Sequence, residues 1–314
     1  VVARGQAVVN LFIGITDDDW FEDLRGRTGL AEVNFWQPGG RTGFQALVPG
    51  ELFLFKLHAP HNVIVGGGFF SHSTFLPVSL AWEVFREANG AASASEMKAR
   101  ISKYRRQAAD AREDYQIGCR ILEAPFFWEE ADWLALPDSF SRWVQQGKRY
   151  STDTEEGRRL YDEVQARLQS VPTVRGLVED AARYGEPTLV LPRIGQGAFR
   201  IRVTDAYQRR CAVTGERTLP VLQAAHIKPY SEGGTHDLSN GLLLRSDIHT
   251  LFDLGYVTVS KAFRFEVSKR IRENFENGRD YYRLHGREIA RPGRTSDCPE
   301  ASVLEWHNEH RFLG

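Results

Sequence analysis

His226, Asn240 and His249 stand fourteen and nine positions apart within a stretch that runs from Cys211 to Val259. An imidazole titrates near pH ~6.5, so a neutral ring is available as a base at physiological pH. Hydrolysis of a phosphodiester needs such a base to deprotonate water. It also needs a cation to offset the charge building on the phosphate and on the leaving 3′ oxygen. The flanking text must position these groups. LPVLQAAHI is a β-prone run that carries His226, and KPYSEGGTHDLSNG is a Gly-, Ser- and Asn-rich loop that carries Asn240. LLL then predicts a short buried strand. Ser246 is expected to cap a helix that runs through Asp253, with Asp247 adding acidic charge to its first turn. On that helix His249 and Asp253 lie four residues apart and project from one face, where an imidazole and a carboxylate could share one divalent ion. Asn240 is better suited to hydrogen bonding than to proton transfer and is expected to pin the loop.

The segments AAHIKP, NGLLLRSDIH and LFDLGYV resemble the HNH (ββα-metal) endonucleases, in particular their bacterial restriction-type branch. The resemblance implies that His226 is the general base, Asn240 the structural asparagine and His249 a metal ligand, with Mg2+, or Mn2+ in its place, as the ion. Many relatives place an Asp or His ligand directly before the base, where this chain has Ala225. Asp253 is therefore the first candidate for the second ligand and Asp247 the next. Many relatives also clamp the unit with two cysteine pairs around zinc. With only Cys119, Cys211 and Cys298, far apart, no structural zinc is expected. RIGQGAFR resembles the lead-in to the same domains, and its glycines and arginines suit a DNA phosphate. Arg193, Gln196, Arg200 and Arg245 are the residues expected there.

At 314 residues the chain is long enough for two domains, and 42% hydrophobic with 26% charged residues is ordinary for a globular protein. A net charge of −1 leaves room for a basic face balanced elsewhere. No run approaches the roughly eighteen apolar residues of a membrane span, and the three cysteines fit a reducing compartment, so a cytoplasmic location is expected.

The fold class expected is α+β: a mixed β-barrel over 1–146, a helical connector over 147–187 and a ββα nuclease domain over 188–314. In the first part, VVNLFIGI, PGELFLFKL and NVIVGGGFF predict strands, with the three glycines signalling a bulge or a close backbone approach. The order of these features resembles the PUA-like superfamily, which includes EVE, ASCH and SRA-type domains. That resemblance implies an aromatic pocket for a flipped, modified base. Trp20, Phe35, Trp36, Phe70 and Trp82 are the expected stacking faces. Asn34, Gln37, His72 and Ser73 are the expected polar readers.

Together these features lead to a modification-dependent DNA endonuclease of anti-phage restriction. Its expected partner is double-stranded DNA with modified cytosine, without a membrane role, and a homodimer would supply two cuts. Two alternatives stand beside it. One is a catalytically silent reader of modified nucleic acid, for which Ala225 argues, and the other is a ligand-activated HNH nuclease of abortive infection.

Overall fold

The computed structural model describes residues 8–39, 43–105, 114–169, 171 and 195–314. Arg193 and the last part of the expected connector, 170 and 172–187, lie outside the described residues. The chain divides into two units, Val1–Arg193 and Ile194–Gly314. The class is α+β in both.

The first unit is built on a seven-stranded mixed sheet: β1 (Asn10–Thr16), β2 (Glu32–Gln37), β3 (Leu52–Leu57), β4 (Val63–Pro77), β5 (Gln116–Phe127), β6 (Leu134–Ala135) and β7 (Gly147–Ser151). The path runs β2-β5-β4-β3-β1-β7, with β6 against β4, and only β1 and β3 run parallel. Two strands separate β2 from β3, yet the rings of Phe35 and Phe53 lie 4.7 Å apart. Neighbouring strands in a flat sheet are about 4.8 Å apart, so this contact requires the sheet to curl round on itself. Phe12, Phe35, Phe53 and Phe55 fill the inside of that curl.

The glycine run in β4 serves the curl. A Cβ at Gly66 would meet the Phe126 carbonyl oxygen at 2.3 Å, and one at Gly67 would meet the Phe53 carbonyl oxygen at 2.6 Å. The pairing with β5 slips between Gly67 and Phe69 and again between Phe70 and His72. Both expected signals, bulge and close backbone approach, are present here.

Helix α1 (Asp18–Arg25) has acidic residues in its first turn and Arg25 in its last, in line with the helix dipole, and it buries Trp20, Phe21 and Leu24. α2 (Val78–Phe85) and α3 (Ala94–Ser102) follow, the latter capped by Ser93 accepting from the Glu96 amide. The segment from residue 147, expected to begin a connector, is part of this unit's core. β7 pairs antiparallel with β1, and α4 (Glu155–Leu168) buries Leu160, Tyr161, Val164 and Leu168 against it. The amphipathic stripe was legible; the core it serves was not.

The second unit opens with α5 (Gln196–Ala206), followed by β8 (Leu222–His226), β9 (Gly241–Arg245) and α6 (Ser246–Asp253). A hairpin of β10 (Val257–Val259) and β11 (Phe265–Val267), short helices α7 (Arg270–Phe275) and α8 (Arg279–Tyr282), and α9 (Ala301–His310) complete it. The stretch DYYRLHGREIARP forms most of α8 and contributes Glu288 to a single bridge with Arg264. α9 packs through Leu304 and His307. No helix among the described residues is long and apolar enough to cross a membrane.

Candidate active site

β8 and β9 pair antiparallel with His226 opposite Gly241, which sets His226 beside Asn240 at the mouth of the intervening loop. Along β8, Leu222 and Ala225 are buried, Gln223 is exposed and His226 is half-buried. The expected strand, loop, strand, helix order is therefore present, with one local difference. Ser246 is the first helical residue and not the cap; Arg245 takes the cap position without a side-chain capping bond.

Asn240 is 2% exposed and ties the loop at both ends. Its Oδ1 accepts from the Lys228 amide at 2.9 Å, and its Nδ2 donates to the carbonyls of Lys228 at 2.9 Å and Thr235 at 2.8 Å. The Asn240 carbonyl also accepts from Ile227 at 2.9 Å. Gly234 is enclosed by the same clamp, since a Cβ there would fall 1.9 Å from the Lys228 carbonyl oxygen. A buried amide with both ends paired fixes the loop in one arrangement.

His226 packs face to face on Phe199 of α5, ring centroids 3.9 Å apart at 12°. Burial, with smaller contributions from His236 and His249, pushes its pKa down to about 4. The ring is thus neutral at physiological pH, as a general base must be. On α6, His249 Nδ1 meets Gln223 Oε1 at 2.8 Å, while its Nε2 lies 3.3 Å from Asp253 Oδ2. Burial holds His249 below its ordinary value, with Asp253 opposing.

The other expected residues divide. Asp247 lies in a two-pronged ion pair with Arg245, at 2.6 and 2.8 Å, and accepts from the Tyr281 hydroxyl at 3.1 Å. Arg245 first, together with Tyr281, keeps its carboxyl below the usual range. That engagement occupies both Asp247 carboxylate oxygens, and it occupies two nitrogens of Arg245 that were assigned to DNA phosphate. Gln196 begins α5 at the surface, Gly195 caps that helix, and Arg200 is half-buried. Arg193 lies outside the described residues. Two residues at the site have no role in the sequence analysis: Phe199, the apolar residue of RIGQGAFR, and His236, whose Nδ1 is 2.8 Å from His226 Nε2. The GGTH text of the loop gives no signal that its histidine turns inward.

The donor set can be tested against a divalent ion. One imidazole and one adjacent carboxylate, with Asp253 59% exposed, suit a hard cation that keeps several waters and takes phosphate oxygens as further ligands. Ala225 is fully buried and supplies nothing, and no group of three or more His, Cys, Asp or Glu residues is suited to a metal among the described residues. The fit is to an ion shared with substrate.

In the first unit, a cavity of roughly 1110 Å3 opens at the ends of β1, β2 and β3. Trp20, Phe35 and Trp36 line it, with Gln37 and Asp17. Tyr104 donates to Asp17 Oδ1 at 2.5 Å, and His58 Nε2 stands 3.5 Å from the same oxygen. Three other expected pocket residues are elsewhere. Phe70 packs on Phe44 with centroids 5.2 Å apart, Ser73 donates to the Phe44 carbonyl, and Trp82 is half-buried on α2. Asn34 is fully buried and bonded to Asn89. For Phe70 and Ser73 the physical reason is the pair of register slips in β4, since a slip of one residue resets which face the following side chains take.

Residues 211–260 match the HNH_2 family model, described as HNH endonuclease. That match places an HNH endonuclease domain in the second unit. No curated protein matches the chain by sequence. Among solved structures, the ASCH protein of Zymomonas mobilis is similar over 48% of this chain and 94% of its own, at 8% identity and a TM-score of 0.33. A mutant of it aligns over 49% and 97%, at 7% identity and the same score. A structure described as the modification-dependent TagI restriction endonuclease is similar over 92% of this chain and 78% of its own, at 13% identity and a TM-score of 0.27.

Proposed function

We propose that this chain is a modification-dependent DNA endonuclease acting in anti-phage restriction, with a PUA-like reader in the first unit and an HNH cutter in the second. The observation that carries the cutter is the coincidence of the HNH match with a neutral, stacked His226 beside the Asn240 clamp and the His249–Asp253 pair. The reader rests on the cavity lined by Trp20, Phe35 and Trp36, whose aromatic walls and neighbouring Gln37 and Asp17 suit a flipped base in both stacking and hydrogen bonding.

In this reading His226 takes the proton of the attacking water. Phe199 holds its ring face, and Asn240 fixes the loop that follows it. His249 and Asp253 would hold a divalent ion, Mg2+ or Mn2+, which supplies neutralisation of charge on the phosphate and leaving oxygen. One site cuts one strand, so a homodimer would complete a double-strand break. Gln196 and Arg200, with Arg193, remain the residues proposed to meet backbone phosphate.

A silent reader is the second reading, favoured by the buried Ala225 where relatives place a ligand. One experiment separates the two: incubation with Mg2+ or Mn2+ of a single DNA prepared unmodified, with 5-methylcytosine, and with hydroxymethylated or glucosylated cytosine, beside His226→Ala. Cutting confined to a modified DNA and lost in the variant supports both domain roles. Equal cutting of every DNA removes the reader, and no cutting with either ion favours the silent alternative.

A further inference from the structure

His236 is a second imidazole at the base that the endonuclease reading leaves unused. Its Nδ1 lies 2.8 Å from His226 Nε2, with the rings at 62°. Each ring is held on its other side. Phe199 stacks on His226, and Tyr230 stacks on His236 at 4.8 Å and 8°. Asn240 fixes the loop between them through Lys228 and Thr235. Two nitrogens at that separation share one proton, so one ring donates and the other accepts. Burial lowers the proton affinity of both rings, which keeps the pair neutral. His226 Nδ1 makes no hydrogen bond to any described residue.

We propose that His236 is a positioning residue: its Nδ1 accepts from His226 Nε2–H and fixes the tautomer in which His226 Nδ1 carries the free lone pair. The opposite arrangement would put the proton on His226 Nδ1 and leave no base facing water. With the tautomer fixed, a water proton passes to Nδ1 and the water oxygen's pair forms the new P–O bond. The P–O3′ bond then breaks, its pair goes to the leaving oxygen, and solvent supplies that oxygen's proton. The Nε2–H bond to His236 persists throughout and stabilises the imidazolium that forms. This inference rests on His226 being the base.

The test uses the full chain labelled with 15N, in which long-range 1H–15N spectra report the tautomer of His226, assigned by its loss in His226→Ala. Two variants accompany it. His236→Asn keeps an acceptor near the Nδ1 position, and His236→Phe keeps the ring on Tyr230 and removes the acceptor. Expected are an Nε2–H tautomer in the wild type, loss of that preference in His236→Phe, and a fall of about tenfold to a hundredfold in kcat with KM unchanged. His236→Asn should stay within several-fold of the wild type. An Nδ1–H tautomer in the wild type overturns the proposal, as does full-rate cleavage by His236→Phe while His226→Ala is inactive. Cleavage by His226→Ala would instead remove the base assignment itself. Where His236→Phe fails to melt cooperatively, the wild-type spectrum and His236→Asn decide the matter.

Discussion

Asn240 bonds both main-chain polar groups of Lys228, accepting from its N–H and donating to its carbonyl, each at 2.9 Å. A side-chain amide is the one group of this size that can do both at once. It ties the end of the base strand to the end of the loop that follows it.

Asn240→Asp should therefore be worse than its size suggests. The new carboxylate has no donor for the Lys228 and Thr235 carbonyls and sets negative charge against them. Asn240→Ala leaves the same groups unpaired, at a cost of about 3 kcal/mol. Both variants should melt early and cut slowly; an Asp variant with wild-type melting would show that the clamp holds nothing.

Asp253 and Asp247 should separate in ion binding. Asp253→Asn removes the only carboxylate beside His249 among the described residues and should weaken Mn2+ binding tenfold or more, read by calorimetry on the DNA-free chain. Asp247→Asn breaks the Arg245 pair and should lower stability while leaving Mn2+ binding within twofold. Equal losses in the two variants would restore Asp247 to the ion site. Chelation of the divalent ion should abolish cleavage by the wild type.

The pH profile of cleavage carries a signature of His226. With its pKa depressed to about 4, the ring stays neutral as pH falls through 6.5 and gains its proton only well below that. The acid limb of kcat/KM should accordingly lie below pH 6. A half-loss of rate near 6.5, with the protein still folded, would mean that the base is an ordinary exposed imidazole.

His307 should make the stability of the second unit depend on pH. Its Nε2 donates to the Phe252 carbonyl at 3.1 Å and its Nδ1 accepts from Thr258 at 2.8 Å, a neutral arrangement in a site 2% exposed. Burial lowers its pKa to about 4. The unfolded chain takes up the proton near 6.5, so this stabilisation is complete above 6.5 and is lost as pH falls from there toward 4. Denaturant unfolding at pH 7 and 5 should differ by about 2 kcal/mol on this account, and His307→Leu should lose that difference.

The cavity of the first unit predicts a separate variant. Asp17 sits at its rim, held by Tyr104. Asp17→Asn, placed on a His226→Ala background so that DNA survives, should bind a modified oligonucleotide at least tenfold more weakly than its parent. Unchanged binding would move the reader away from this cavity.

What the sequence determined by itself is what lies close together along it. His226, Asn240, His249 and Asp253 fall within one strand, loop, strand and helix, so their spacing alone gave their order and their shared side. The stripe of Leu160, Val164 and Leu168 was equally legible, because helical period is a local property. Tertiary structure decided the rest. Phe199 reaches His226 from a helix that precedes the motif, and His236 turns inward because Asn240 and Tyr230 hold its loop. Asp247 is engaged by Arg245 and by Tyr281, which lies well beyond it in the chain. In the first unit, the fold brought Trp20 of α1 beside Phe35 and Trp36 of β2. The slips of β4 sent Phe70 and Ser73 elsewhere, since a bulge resets the alternation on which any reading of a strand's faces depends.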